Sequence, residues 1–375
     1  MPFSAILLGG RPATAKVSGY AIRSRADVDA GLFHWPADLS LNNDLPLSLA
    51  CVEVFGQSVL ERMIVTCKKA GLRSLSVIAS SAGIGFHETK DVRIAIPKRA
   101  EDRWSIVRRT LLRDLQQGID TVLIADLGAY VEIDLPSALR FHRAKNQRIT
   151  PIHDSQGPLS YWIVDAARIL SDGHGSLPPD EDKIINPPVP LVLNTYVNRL
   201  AHPRDLRRLV VDAFLGRCSI RPSGHEIKPG VWVEQQARVH KTARLVAPCY
   251  VGSNTRVRPV AVVTRCSNLE RNCNVGEGSL ISDASLLPHT FVGRGLDVAT
   301  AVVDRVDFVD LDRNVTVRIQ DLSLISDIPP QKHYVPSYVP EYGDPEHQTA
   351  ELDAAGLDYL ARAKGRLLEV FKGEV

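Results

Sequence analysis

Gly9 and Gly10 follow the apolar run Ser4–Leu8. Glycines at the end of a strand let backbone N–H groups approach a phosphate, and the same pair also suits an ordinary positive-φ turn. Arg11 and Lys16 stand just downstream as cations for such a phosphate, or as solvated loop charges. Asp126 closes a second apolar run, Thr121–Ala125. An aspartate there can hold a divalent cation or a ribose hydroxyl, or cap the turn Leu127-Gly128. Arg199 carries a guanidinium fork that matches a carboxylate; the alternative is a surface or domain-interface arginine. Of His225, His240 and His289, the last is best placed for general-base work on an acceptor hydroxyl or amine. Its alternative role is that of a surface residue at a bend. The six cysteines, Cys51, Cys67, Cys218, Cys249, Cys266 and Cys273, form no C-x-x-C pair, which argues against zinc and for reduced thiols.

These residues need a scaffold, and the first part of the chain reads as strands alternating with helices. Ser4–Leu8, Ser74–Ala79, Thr121–Ala125 and Leu159–Val164 read as strands. Val59–Ala70, Trp104–Gln117, Pro136–Lys145, Asp165–Leu170 and Leu206–Leu215 read as helices, with Gly71 and Gly118 closing the first two. Such alternation predicts a mainly parallel sheet covered on both faces, with ligands at the carboxyl ends of the strands. That rule puts Gly9, Gly10 and Asp126 on one edge. The stretch Asp172–Pro190, with Pro178-Pro179 and Pro187-Pro188, reads as a loop or insertion.

The second part carries a period of six. Ile227, Val233, Val239, Leu245, Val251, Val257, Val263, Leu269, Val275, Ile281 and Leu287 are all aliphatic. Four residues after each stand mostly small side chains, among them Ala237, Ala243, Cys249, Thr255, Ala261, Ser267, Cys273, Ser279 and Ser285. Neither a helix nor a flat strand has this period. A coil of three short sides does, with Val251 stacked on Leu269 and Leu287 and with Cys249 and Cys273 as packing groups. The register slips after Leu287, continuing at Val292, Val298, Val303, Val309 and Val315, and the coil is expected to reach about residue 325.

The hexads, with Gly252-Ser253-Asn254 and Gly276-Glu277-Gly278 as turns, resemble the left-handed parallel β-helix of hexapeptide-repeat proteins. An α/β domain ahead of such a β-helix resembles the sugar-1-phosphate nucleotidyltransferases, the nucleotide-sugar pyrophosphorylases. Ala5-Ile6-Leu7-Leu8-Gly9-Gly10 is similar to that family's first strand and nucleotide loop. Val54-Phe55-Gly56-Gln57-Ser58-Val59-Leu60-Glu61 and Ala70-Gly71-Leu72-Arg73-Ser74-Leu75-Ser76-Val77-Ile78 are similar to its entry into the second helix and the following strand. Thr121–Asp126, Ile133-Asp134-Leu135 and Leu139-Arg140-Phe141-His142 resemble its "LVLNGD…DL..L..FH" region, and Tyr196–Leu206 its "W.D.GTPEDL" region. The resemblance implies a Rossmann-like nucleotidyltransferase domain over 1–222, a left-handed parallel β-helix over 223–326, and an extended tail with a C-terminal helix over 327–375. It implies nucleotide binding at Leu8, Gly9 and Gly10, Mg2+ at Asp126, and a homo-oligomer joined through the β-helix, with a trimer as the usual form. The implied reaction makes a nucleotide-sugar and pyrophosphate from a sugar 1-phosphate and a nucleoside triphosphate.

Several family groups are replaced. The Gly-Thr-Arg of the phosphate loop is absent after Gly10, Leu49 falls where a lysine belongs and Glu53 where a proline belongs. No "GTAGAL" segment precedes Trp104, and the later aspartate falls on Arg199; the resemblance thus implies that the Arg199 guanidinium sits where the cation would be and pairs with Asp126. These losses leave Arg11, Lys16 and Arg199 as the remaining catalytic candidates. They also leave open a non-catalytic regulatory or scaffold protein that binds a nucleotide or sugar phosphate. A third possibility is a hexapeptide acyltransferase with a CoA donor and His289 as base.

Composition sets outer limits. With 45 Lys plus Arg against 43 Asp plus Glu, the formal charge of +2 gives no global attraction to nucleic acid or an anionic membrane. No apolar run reaches the roughly 18 residues of a membrane span, and the start lacks a signal-peptide pattern, so a cytoplasmic protein is expected. Tyr334, Tyr338 and Tyr342 among Pro329-Pro330, Pro336, Pro340 and Pro345 predict an extended arm, followed from about Thr349 by a helix.

Overall fold

The computed structural model of the chain describes residues 3–9, 51–79, 92–95, 102–171 and 188–328, all within one compact unit. The expected tail beyond residue 328 and the Asp172–Pro187 part of the expected loop lie outside the described residues. The fold is mixed α/β and rich in sheet. Its first part contains strands β1 (Phe3–Gly9), β2 (Glu53–Val54), β3 (Gln57–Ser58), β4 (Ser74–Ala79), β5 (Val92–Ala95), β6 (Thr121–Asp126), β7 (Tyr130–Val131), β8 (Ile149–Asp154), β9 (Gly157–Asp165), β10 (Leu191–Val192) and β11 (Val197–Asn198). Five helices accompany them: α1 (Val59–Lys69), α2 (Asp102–Gln116), α3 (Leu135–Lys145), α4 (Ala166–Ser171) and α5 (Pro203–Phe214).

Seven strands make one sheet in the order β10-β8-β9-β6-β1-β4-β5. β1 runs parallel to both β4 and β6, and alternate residues of β1 feed two cores. Ala5 and Leu7 meet Leu60, Met63, Ile64 and Cys67 of α1 on one face. Ile6 and Leu8 meet Val107 and Leu111 of α2 on the other. The spacing of three and four along α1 is what aims its apolar stripe at the sheet. A capping box starts α1: Ser58 Oγ accepts from Glu61 N–H, and the Glu61 carboxylate accepts from Ser58 N–H. Gly71 follows its end at φ +75°, as the sequence predicts.

The sheet is less parallel than expected. β9 pairs antiparallel with both β6 and β8. Only Ser155 and Gln156 separate β8 from β9, too short a link for a parallel crossover. Asp154 Oδ1 fixes that turn by accepting Gln156 N–H at 2.7 Å.

The repeat region builds short parallel strands at a fixed sequence offset. Cys249–Val251 pairs with Ser267–Leu269, Arg238-Val239 with Arg256-Val257, and Val262–Thr264 with Leu280–Ser282, in each case 18 residues apart. Val251, Val263, Leu269, Val275 and Ile281 lie in one buried cluster, with Cys249, Ala261 and Cys273 from the small column. The small polar members tie neighbouring bends: Thr255 Oγ donates to Glu270 C=O at 2.7 Å and Ser279 Oγ to Gly293 C=O at 2.6 Å.

Three details of the expected register are corrected. Ile227 belongs to an antiparallel end strand, His225–Lys228, whose residues are all exposed. The slip comes earlier than Leu287: Leu269 pairs with Leu286, 17 residues on, and Leu287 turns toward a different core. Asp283, at φ +50°, lies where the offset changes from 18 to 17. The parallel run ends at Asp304; Asp307–Asp310 and Val315–Arg318 then fold back antiparallel, leaving Val315 exposed.

The two sheets meet through the β2–β3 hairpin. Its two-residue turn, Phe55-Gly56, has φ +55° and +75°. Both N–H groups donate at 2.9 Å to the carboxylate of Glu270, which is fully buried. The Phe55 ring packs 4.7 Å from Phe214 and 5.0 Å from Tyr250 between centroids. A left-handed non-glycine residue costs roughly 1–2 kcal/mol, which burial of an aromatic ring, about 1.5–3 kcal/mol, offsets. At φ +75° any side chain at Gly56 would be strained, and a Cβ there would also stand 2.7 Å from Glu234 Oε1, which favours glycine.

Glu270→Ala is expected to lower the free energy of urea unfolding by at least about 2 kcal/mol, because the two turn N–H groups and the Asn268 amide lose their acceptor. A loss below about 0.5 kcal/mol would mean that water replaces the carboxylate there.

Candidate functional site

The carboxyl edge of the parallel strands is where an open α/β sheet takes its ligands. In register, Leu8 stands beside Asp126 and Gly9 beside Ala79, so Gly9 and Asp126 share this edge. Leu8 is fully buried in the core under α2, and its carbonyl accepts Leu127 N–H at 2.9 Å. It supports the edge from beneath and does not line it. Gly10, Arg11 and Lys16 lie outside the described residues.

Asp126 is 3 % exposed, and a cation holds it. Arg103, from the first turn of α2, places Nη2 2.7 Å from Asp126 Oδ2. The same guanidinium lies over the Trp104 ring, 5.4 Å from its centroid. The expected partner Arg199 is elsewhere. It forks onto Asp154, Nη2 to Oδ1 at 2.6 Å and Nε to Oδ2 at 3.0 Å, and also donates to Gly157 C=O at 3.0 Å. The reason is topological: β11 pairs with β7, which carries Arg199 to the tip of the β8–β9 hairpin. Burial there acts to raise the Asp154 carboxyl, but the Arg199 fork and the Gln156 N–H hold it below its usual range.

These residues do not fit a divalent cation. One Asp126 oxygen, Oδ2, already pairs with the Arg103 guanidinium, and a second positive charge beside that guanidinium would be repelled. Among the described residues, no group of three or more His, Cys, Asp or Glu is placed to hold a metal ion. Comparison with protein-family models and with curated proteins finds no match for this sequence. No helix among the described residues is long and apolar enough to cross a membrane.

His289 is built into the chain at a bend, with φ +69°. Its N–H donates to Arg271 C=O at 3.1 Å and its carbonyl accepts Ile328 N–H at 2.7 Å. Nδ1 is buried with no hydrogen-bond partner. Burial, then the nearby Arg271, lowers the imidazole pKa against the pull of Asp327. Cys249 is a packing group as expected, its thiol pushed up to about 12 by burial.

Polar groups that the sequence did not single out line the seam between the sheets. Asn268 Nδ2 donates to Glu270 Oε1 at 2.7 Å, and Asn268 Oδ1 accepts from Ser285 Oγ and from Arg207 Nη1. Arg207 of α5 also reaches Asp283 Oδ1 at 2.7 Å and Cys266 C=O at 3.2 Å. Beside them Arg271 forks onto Glu53, with Nη2 2.7 Å from Oε1 and Nε 3.0 Å from Oε2. Burial pushes Glu53 up to about 7 against Arg271, and the Glu270 carboxylate adds to the rise. A charged residue next to an inward leucine of the repeat, as Glu270 is, was the available signal. Arg103 offered only its place at the start of a helix facing the end of β6.

Two outcomes are expected. Magnesium titration of the wild-type protein gives no heat that Asp126→Asn abolishes, whereas Arg103→Gln costs about 3 kcal/mol of stability by leaving a buried carboxylate without this cation. For Glu53, a folded pKa above the unfolded one means that its stabilising contribution is complete below about pH 4.5 and is lost as pH rises through about 7. Unfolding free energies of wild type and Glu53→Gln, measured from pH 5 to 8, therefore diverge in that direction. Parallel pH profiles would remove Glu53 as a titrating group.

Proposed function

We propose that this protein is nucleotidyltransferase-like in architecture, with a Rossmann-like α/β domain and a left-handed parallel β-helix. We further propose that it binds a nucleotide or sugar phosphate without metal-dependent transfer at Asp126. The 18-residue offset repeated in three strand columns supports the β-helix reading. The edge formed by Gly9 and Asp126, in a run of four parallel strands (β6-β1-β4-β5), supports the α/β reading. The observation that carries the loss of transfer is the 2.7 Å pair between Arg103 and Asp126. Nucleotidyl transfer depends on positioned cations that neutralise the charge on phosphates. Pairing with Arg103 neutralises Asp126, which disfavours recruiting Mg2+ there and removes a carboxylate charge that would repel a phosphate. In this reading the protein is a regulatory or scaffold member beside a true enzyme of the class. It also forms a homo-oligomer through the β-helix, three copies being the expected number. Val246 and Val260, exposed on the repeat, favour such packing.

The alternative, an active enzyme making a nucleotide-sugar, is separated by one experiment. With Mg2+, nucleoside triphosphates and sugar 1-phosphates, pyrophosphate release is expected to stay at the blank. Nucleotides or sugar 1-phosphates at a hundredfold excess over Kd are expected to stabilise the fold by about 2.7 kcal/mol, seen as a rise of several degrees in Tm. Pyrophosphate release would overturn the non-catalytic reading, and the absence of any stabilisation would overturn ligand binding.

A further inference from the structure

A cavity of about 460 Å3 opens between α1 and the β7 segment, away from the strand edge: its wall includes none of Leu8, Gly9, Arg103 or Asp126. Its volume suits a small organic ligand. One wall is a ladder on α1: Arg62, Thr66 and Lys69, spaced four and three residues apart and so on one side of the helix. Arg62 Nη2 donates to Val54 C=O at 2.5 Å, while its Nε is buried with no hydrogen-bond partner. Neither Arg62 nor Lys69 forms an ion pair among the described residues. Burial opposes the charge on Arg62, and the nearby carboxylates of Glu270 and Glu61 offset that only in part; an anion entering the cavity from outside adds to the compensation.

The facing wall has the opposite character. Glu132 and Asp134 present carboxylates, and Tyr130 stands beside them with its hydroxyl 3.1 Å from Glu132 Oε1 and 3.0 Å from Ser219 Oγ. Carboxylates accept hydrogen bonds from hydroxyl groups and repel phosphate. Cations on the helix and acceptors on the opposite wall therefore sort a ligand that has a phosphate at one end and hydroxyls at the other. We propose that this cavity binds a phosphorylated sugar or similar polyol, its phosphate on Arg62 and Lys69 and its hydroxyls on Glu132 and Asp134. Arg62 follows the β2–β3 hairpin and is bonded to it through Val54, so a ligand here acts on the same hairpin that Glu270 grips. That connection makes the site suited to an effector that sets the fit between the two sheets.

Isothermal titration with glucose 6-phosphate, inorganic phosphate and glucose tests this assignment. Wild type is expected to bind glucose 6-phosphate at least tenfold tighter than either phosphate or glucose alone. Lys69→Met, which removes an exposed side chain with no ion pair, is expected to weaken that binding tenfold or more, as is Arg62→Gln. Arg294→Gln, an exposed change on the repeat outside both this cavity and the strand edge, is expected to bind as wild type does. Failure of glucose 6-phosphate to bind at millimolar concentration would overturn the proposal. So would unchanged affinity in Lys69→Met, or binding no tighter than that of phosphate. Loss of binding in Arg294→Gln alone would move the ligand away from this cavity and also overturn it.

Discussion

The carboxylate of Glu270 has no water to turn to. It sits fully buried between two sheets, and the groups that satisfy it come from both: two turn amides from the hairpin and one side-chain amide from its own repeat. Successive N–H groups in left-handed conformation form a concave nest for an anion. Phe55 and Gly56 make such a nest, and the anion is a side chain of the same protein. Much else follows from that contact. The hairpin positions Ser58, which starts α1, and α1 covers one face of the seven-stranded sheet. The Phe55 ring, held in place by its own backbone, joins Phe214 and Tyr250 in the core shared by both parts.

The seam combines apolar area with a polar chain in which each link depends on the next. Asn268 donates to Glu270 and accepts from Ser285 and Arg207, so its amide orientation is fixed by its neighbours. Buried polar networks of this kind fix one arrangement more than they add net stability, because their desolvation is expensive. The apolar part, Tyr250, Val302, Leu206, Leu209 and Phe55, supplies affinity. The polar part supplies the choice of where the helix and the hairpin settle.

Much of the scaffold was legible because it rests on local periodicity. The six-residue period located the interior of the repeat, and the glycines at 71 and 118 located two helix ends, since each is a property of neighbouring residues. What could not be read was set by distant partners. The hairpin β8–β9 was missed because Ile149–Asp154 has no alternation that marks a strand, and its pairing with β9 decides its direction. The family position puts Arg199 opposite Asp126, whereas strand pairing sends Arg199 to Asp154 and α2 brings Arg103. Nor did the repeat's outward positions reveal that one column, Tyr250, Asn268, Ser285 and Val302, faces protein instead of solvent. Inward and outward residues obey the period; which outward face is covered does not.

The change of offset at Asp283 has a meaning beyond irregularity. A perfectly periodic stack has translational symmetry: each turn offers the same surface as the next, and a helix lying on it could slide by one turn with little change in contacts. The single-residue shortening breaks that symmetry once. There the Cys266 carbonyl, the Asp283 carboxylate and the Ser285 hydroxyl converge on the guanidinium of Arg207. The defect thus acts as an address, a single phase mark on an otherwise repetitive lattice, and it lets α5 dock at one turn and no other.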